Sequence, residues 1–362
     1  MPSRIPNIAF MTTLGVNVGD EFIREGIHSF LEKLIPQYHS LYVSKHDLTS
    51  LHEHHLDESI SVKDKFLDAD VIIQAGAPVY WKNSGSACYS AEWVDELWRK
   101  RIFQFGRSKV VLNIGAGSGQ AFHENSQSVS SDPLCVEFIR QISKSCKWES
   151  VRDPLASAIL NDLNISHVKL PCPAFHAARR RKKTIPVSRN SVAINFMPLS
   201  GHYQFAPEVT ESGSLAFQRK AVSAFRRNHA IMFIAHNQIE ADYMRQFQFP
   251  GESIFLSNNY FDYFEAYGMA RGVFANRIHG GVFAAGFGRP AVLVGNDSRL
   301  RIAEYIGLPY KYIADADVDE SIDLFEDCVK KEHSERDRLL NLREDSAEKY
   351  IEYLRPFFKD WQ

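Results

Sequence analysis

The sequence has no paired-cysteine motif: its five cysteines, Cys88, Cys135, Cys146, Cys172 and Cys328, are scattered and odd in number. That spacing speaks against a disulfide framework and against a cysteine-ligated zinc site, so reduced thiols are expected. Nowhere do about 18 apolar residues run without charge, and no membrane-spanning helix is predicted. A surplus of one charge sign is missing too, since 42 Lys+Arg against 44 Asp+Glu leave −2. Such a balance supplies no global attraction to nucleic acid or to an acidic membrane. Repeats and low-complexity tracts are also absent. The opening apolar run, Ile8–Met11, is shorter than a signal-peptide core, which makes a cytoplasmic location the expectation. What remains is a folded, soluble composition, 44% hydrophobic, in 362 residues, a length suited to about two domains.

Short apolar runs alternate with amphipathic ones. Asn7–Met11 reads as a strand, and Phe22, Ile23, Ile27, Phe30, Leu31 and Leu34 follow at helical spacing. Val71–Gln74 runs into Gly76, and Lys109–Ile114 runs into the glycine-rich Gly115–Gly119. Ser150–Val151 and His167–Leu170 are further strands around a helix at Asp153–Leu160. The pattern stops at Arg179-Arg180-Arg181-Lys182-Lys183, read as a solvated linker or a basic surface for a phosphorylated or lipid-linked acceptor. It restarts with Val192–Met197, Ile231–Ala235, Ile254–Leu256, Val273–Ala275 and Ala291–Val294, with helices between them. The expectation is α/β: two Rossmann-like domains facing a cleft, residues 1–183 and 184–329, closed by an amphipathic helical tail at 330–362. Ligands of such sheets bind outside the C-terminal strand ends, so the residues just after strands are the candidates.

Asn17-Val18-Gly19-Asp20 follows the first strand; Gly19 permits a tight turn, and Asp20 is read as the helix cap with its carboxylate toward the cleft. The bland alternative is a capped turn and nothing more. Gly115–Gly119 is read as a turn after its strand, with anion binding by its backbone N–H groups as the alternative. A nicotinamide site is not expected, because the full G-x-G-x-x-G spacing is missing. Arg152 suits a carboxylate or phosphate held bidentately, or a salt bridge to Asp153. The densest signal is Arg277-Ile278-His279-Gly280, between a strand and an apolar helix rich in small residues. Arg299 follows the next strand on the same edge, and two adjacent turns offering cations suggest a doubly charged small anion. His236 and Asn237, with Glu240 and Asp242 soon after, end another strand and either line the cleft or serve structure. His52-Glu53-His54-His55 has metal-ligand density but is read as a solvated loop, and no feature demands a metal.

Together these segments resemble the polysaccharide pyruvyl transferase family. The pieces in family order are Asn17–Asp20, Gly76 after Asp70–Ile73, Ile114–Gly117, Ser150–Asp153, Pro173–Phe175, His236-Asn237, Arg277–Gly280 with Phe283-Ala284 and Gly288–Pro290, then Asp297. The resemblance implies a fold like that of GT-B glycosyltransferases and phosphoenolpyruvate as donor substrate, with no cofactor. It further implies transfer of pyruvate to a saccharide as a ketal, in surface or extracellular polysaccharide biosynthesis. The acceptor is nucleotide-, lipid- or polymer-linked, the lipid-linked case with peripheral membrane contact. Donor binding is implied for Arg152, Arg277, His279 and Arg299, with His236, Asn17 and Gly280 as further substrate contacts. His279 is the candidate acid or phosphate ligand and Asp20 the candidate acceptor-side base. Two departures stand out: the family's usual lysine is Arg299, and its usual aromatic before the aspartate is Asn296. A nucleotide-sugar glycosyltransferase or a non-catalytic carbohydrate-binding scaffold are the alternatives.

Overall fold

The computed structural model describes residues 4–15, 17–44, 49–52, 55–61, 68–81, 98, 102–103, 109–181, 183–188, 190–199 and 206–362, the segments 49–52 and 55–61 by backbone alone. Its first sheet is built from β1 (Asn7–Thr12), β2 (His39–Ser44), β3 (Thr49–His52), β4 (His55–Ser61), β5 (Val71–Ala75), β6 (Pro78–Tyr80), β7 (Val110–Ser118), β8 (Trp148–Val151) and β9 (Val168–Lys169). The order is β4-β3-β2-β1-β5-β7-β8-β9, with β6 paired to β7. All pairings are parallel except β2–β3 and β3–β4. The second sheet holds β10 (Ser191–Asn195), β11 (Ala230–Ile234), β12 (Ser253–Phe255), β13 (Gly272–Ala275), β14 (Ala291–Gly295) and β15 (Tyr310–Tyr312). Its order β12-β11-β10-β13-β14-β15 is that of a doubly wound nucleotide-binding sheet, and it is parallel throughout.

Two expectations give way here. Of the segment His52–His55, read as a solvated loop, His52 and His55 instead end and begin two strands paired antiparallel, while Glu53 and His54 lie outside the described residues. The glycine-rich run is not a turn either, because β7 continues through Gly115, Ala116 and Gly117 to Ser118. Gly115 has φ +67 and breaks the β7–β8 register between Asn113 and Ala116. A side chain there would collide with Pro173, 2.4 Å from the place of a Cβ. The glycines therefore serve close packing and a strand irregularity, features that a pattern of apolar residues alone does not separate from a turn.

The helices α1 (Val18–Leu34), α2 (Pro133–Ser145), α3 (Pro154–Asp162), α4 (Glu211–Phe225), α5 (Gln238–Met244), α6 (Asp262–Met269), α7 (Ile278–Gly286), α8 (Val318–Lys330) and α9 (Glu332–Leu354) cover the sheets. On α1 the six apolar residues spaced for one face are all buried. The short helix Pro173–Arg180 wedges between α1 and α7 with backbone contact on both sides. A Cβ on Gly26 would lie 1.8 Å from the Pro173 carbonyl oxygen, and one on Gly286 2.2 Å from that of Phe175. Phe22 of α1 stacks on Phe283 of α7, ring centroids 3.7 Å apart. This wedge sets α1 and α7 side by side, one from each half.

The basic run at Arg179 is part of that joint and not a solvated linker. Arg180 pairs with Glu25 at 2.9 Å and Glu32 at 3.1 Å, Arg179 with Glu344 at 3.4 Å, and Arg181 with Glu265 at 2.7 Å. Lys182 lies outside the described residues. The chain's last long helix, α9, returns to the first half: Tyr350 stacks on Phe30 at 4.4 Å and its hydroxyl donates to the Pro171 carbonyl at 2.9 Å.

Candidate active site

The first turn of α1 sits beyond the C-terminal end of β1, and that of α7 beyond the C-terminal end of β13. The wedge brings the two helix starts together, so that a Cβ on Gly19 would lie 2.7 Å from His279 Nδ1. Asn17, and not Asp20, caps α1, its side chain accepting from the Gly19 N–H at 3.1 Å. Asp20 occupies the third helical position, buried at the cleft. The extended backbone at Asn17 leaves it just outside the helix, in the cap position.

Arg152 leaves the end of β8 and is 1% exposed. Its Nη1 meets His279 Nε2 at 3.2 Å and lies 3.8 Å from Cys172 Sγ, while Nε has no hydrogen-bond partner among the described residues. Asp153 does not pair with it. Instead Asp153 caps α3 and accepts from the N–H and the hydroxyl of Ser118, both at 2.8 Å. Ser118 meets Ser298 at 3.1 Å, and Ser298 in turn accepts from the Gln120 N–H at 2.9 Å. The turn carrying Arg299 is thereby tied to the first sheet.

Arg277 opens α7 with its guanidinium on Glu240, Nε to Oε1 at 2.7 Å, and its backbone N–H on Asn195 Oδ1 at 3.1 Å. Arg299 is held by Asp297, Nη2 to Oδ2 at 2.6 Å. Glu240 is buried, yet Arg277, His236 and a backbone N–H hold its pKa below the ordinary glutamate value. The His279 pKa is lowered as well, which for an imidazole favours the neutral form. Burial and the positive charges of Arg152, Arg299 and Arg277 keep its pKa well below that of a free imidazole, so the ring is neutral near pH 7. Three arginines thus surround one neutral histidine at the meeting point of two helix starts, a strong site for an anion.

His236 is drawn into this site rather than left at a distance. Its Nε2 meets the Tyr267 hydroxyl at 2.7 Å and its ring packs edge-on to Phe22 at 5.8 Å. Burial brings its pKa down to about 4, with Glu240 opposing and Arg277 assisting. Gly280 leaves room for that same hydroxyl, which lies 2.5 Å from where its Cβ would be. Asp242, by contrast, is on the surface, bonded to Gln238 and Arg245. Tyr267 and Asn195 carry no sequence signal: the first sits within an apolar helical pattern, the second at the end of an ordinary strand. Neither amide atom of the buried Asn296 has a hydrogen-bond partner among the described residues.

The family model described as polysaccharide pyruvyl transferase matches residues 17–298, which include Asn17, Asp20, Arg152, His236, Arg277, His279 and Gly280 and end one residue before Arg299. The chain belongs to that family. A polysaccharide pyruvyl transferase family member is a transferase of polysaccharide biosynthesis, with a saccharide acceptor. No curated protein matches the sequence. Among solved structures it is similar to the UDP-GlcNAc 2-epimerase of Methanocaldococcus jannaschii, with 10% identity, 96% of this chain and 99% of that one covered, and a TM-score of 0.56. It is also similar to the UDP-GlcNAc 2-epimerase from Neisseria meningitidis bound to UDP-GlcNAc, with 9% identity, 96% and 99% covered, and a TM-score of 0.53. At such identities the likeness concerns the fold, and this pyruvyl transferase family member has the GT-B architecture. Among its described residues no helix is long and apolar enough to cross a membrane.

Proposed function

We propose that the protein transfers pyruvate from phosphoenolpyruvate to two hydroxyls of a saccharide, forming a ketal and releasing phosphate. The observation that supports this reading is the arrangement of Arg152, Arg277 and Arg299 around His279. The donor carries a phosphate and a carboxylate, and both match guanidinium forks. In this reading Arg277 and Arg299 hold the phosphate, leaving Glu240 and Asp297 to orient them, and Arg152 holds the carboxylate.

The reaction adds a proton to the donor's terminal methylene carbon and leaves an oxocarbenium-like centre at the adjacent carbon. One sugar hydroxyl attacks there, the carbon–oxygen bond to the phosphate breaks, and a second hydroxyl closes the ketal. Of the two hydroxyl protons lost, one balances the proton gained by carbon and the other leaves with phosphate. His279 acts as the acid or as a phosphate ligand. It is neutral in the free protein, so acid catalysis requires that the donor's negative charge offset the arginines and raise its proton affinity. Asp20, beside the same helix start, is the acceptor-side base. Asn17, Gly280 and His236 shape the contacts of the substrate pocket.

Thermal stabilisation by phosphoenolpyruvate, with a nucleoside diphosphate and inorganic phosphate as comparators, tests the donor. A ligand that binds only the native state raises apparent stability. The expected result is a shift selective for phosphoenolpyruvate that is lost in Arg277→Ala. A response to the diphosphate alone would overturn the reading in favour of a nucleotide-sugar glycosyltransferase, and binding without turnover would favour a carbohydrate-binding scaffold.

A further inference from the structure

The second sheet carries a second concentration of arginine, at its opposite edge. A cavity of about 570 Å³ lies there, lined by Val187, Asn190, Arg271, Arg289, Glu332 and Arg336 among others. Asn190 precedes β10, Arg271 precedes β13, and Arg289 and Pro290 precede β14, whereas the cleft lies beyond the far ends of the same strands. Four or five residues of strand separate the two sites by about 15 Å.

Three arginines against one glutamate leave this cavity positive. The glutamate is already engaged: Glu332 Oε2 accepts from Arg271 Nε at 3.0 Å. Arg289 is 8% exposed and is fixed by two carbonyl oxygens, that of Gly268 at 2.9 Å from Nε and that of Ile185 at 3.4 Å from Nη2. No carboxylate lies within ion-pair distance of it among the described residues. Arg336 shares the cavity, its Cγ 2.7 Å from the place of a Cβ on Gly288, and it too has no carboxylate at that distance among the described residues. Burial and the charge of Arg336 together hold the Arg289 pKa below its ordinary value. Two like charges so placed repel each other, and a multiply charged anion between them reverses the sign of that interaction.

We infer that this cavity is a second anion site, taking a small phosphate-bearing molecule on the guanidinium groups of Arg289 and Arg336. The planar fork of arginine matches phosphate oxygens in pairs, and the volume exceeds what one phosphate fills. Val187 and Pro290 at the lining give an organic portion an apolar surface. The phosphate of a lipid headgroup has the same chemistry, but the recessed position of Arg289 favours a soluble ligand.

The test is calorimetric titration with pyrophosphate in the full chain carrying Arg277→Ala, which weakens the cleft as a competing site. Pyrophosphate is expected to bind this protein, and addition of Arg336→Glu is expected to weaken it by about tenfold or more, the loss of one charge-assisted contact. Arg336 is exposed and makes no structural hydrogen bond among the described residues, so this variant is expected to fold. Arg289→Gln, which also removes carbonyl contacts, is the supporting variant. Abolition of binding by Arg277→Ala alone would overturn the inference, since the cleft would then be the only site. Undiminished binding in Arg336→Glu would overturn it as well. Arg336-dependent sedimentation with anionic phosphatidylglycerol vesicles, without pyrophosphate binding, would reassign the cavity to a lipid headgroup. None of these readouts depends on the identity of the pyruvyl donor.

Discussion

Arg152 and His279 meet across the joint between the two halves, Nη1 to Nε2 at 3.2 Å. A guanidinium has donors and no acceptor, so Nε2 receives and the ring carries its proton on Nδ1. The same contact that locks the tautomer also depresses the pKa, since a fixed positive charge stands against a second one. Proton affinity at His279 is thus coupled to the charge of whatever occupies the cleft.

Replacing His279 by alanine should lower transfer by 10²-fold or more, the usual range for a positioned acid or base, in a protein whose melting temperature shows it still folded. Turnover within a few-fold of wild type would remove it from the mechanism. In the wild type, phosphoenolpyruvate binding near pH 7 should be accompanied by net proton uptake, read by calorimetry in buffers of different ionisation enthalpy. The His279→Ala protein should take up correspondingly less.

Glu240 touches Arg277 and the backbone N–H of His236, and so acts through its neighbours. Glu240→Gln keeps the shape but frees the Arg277 guanidinium from its counter-charge. The expected outcome is a KM change for the donor larger than the change in kcat, with the Arg277-dependent stabilisation by phosphoenolpyruvate preserved. Equal losses in both, together with a lowered melting temperature, would mark Glu240 as structural only.

His236 gives stability a pH dependence of defined sign. Its pKa is about 4 in the folded protein and near 6.5 in an unfolded chain. Between those values the unfolded state binds a proton that the native state refuses. The contribution is complete above pH 6.5 and is lost as pH falls toward 4, with a slope of about 1.4 kcal/mol per pH unit from this one group. Denaturant unfolding across that window should therefore be steeper in wild type than in His236→Gln. The difference isolates His236 from Glu21, whose burial raises its pKa to about 7 and tilts the curve the opposite way in both proteins. Parallel curves would mean that His236 takes up its proton in the native state.

The alternation of apolar runs placed β1, β5 and β7 to β14 and the helices α1, α3, α4, α5, α6 and α7, because each buries a stripe or a face that local spacing records. It missed β2, β3, β4, β6 and β15 and the helices α2 and α8; β6 and β15 are strands of three residues, too short to record a period. It also misjudged Gly115–Gly117 and Arg179–Arg181. A glycine that admits Pro173 and a glycine in a turn look alike in one dimension, and a basic run meeting Glu25, Glu32 and Glu344 looks like a solvated one.

The sequence by itself determined two α/β halves, a cation-bearing turn after each of two adjacent strands, and the residues of the family pattern. Only the tertiary structure decided that Arg152 reaches His279, that Asn17 and not Asp20 caps α1, and that Tyr267 enters the site. Those contacts join residues 127 and 31 positions apart or choose between neighbours by backbone conformation. The first of them depends on the wedge at Pro173–Arg180, whose close packing against Gly26 and Gly286 sets one half against the other.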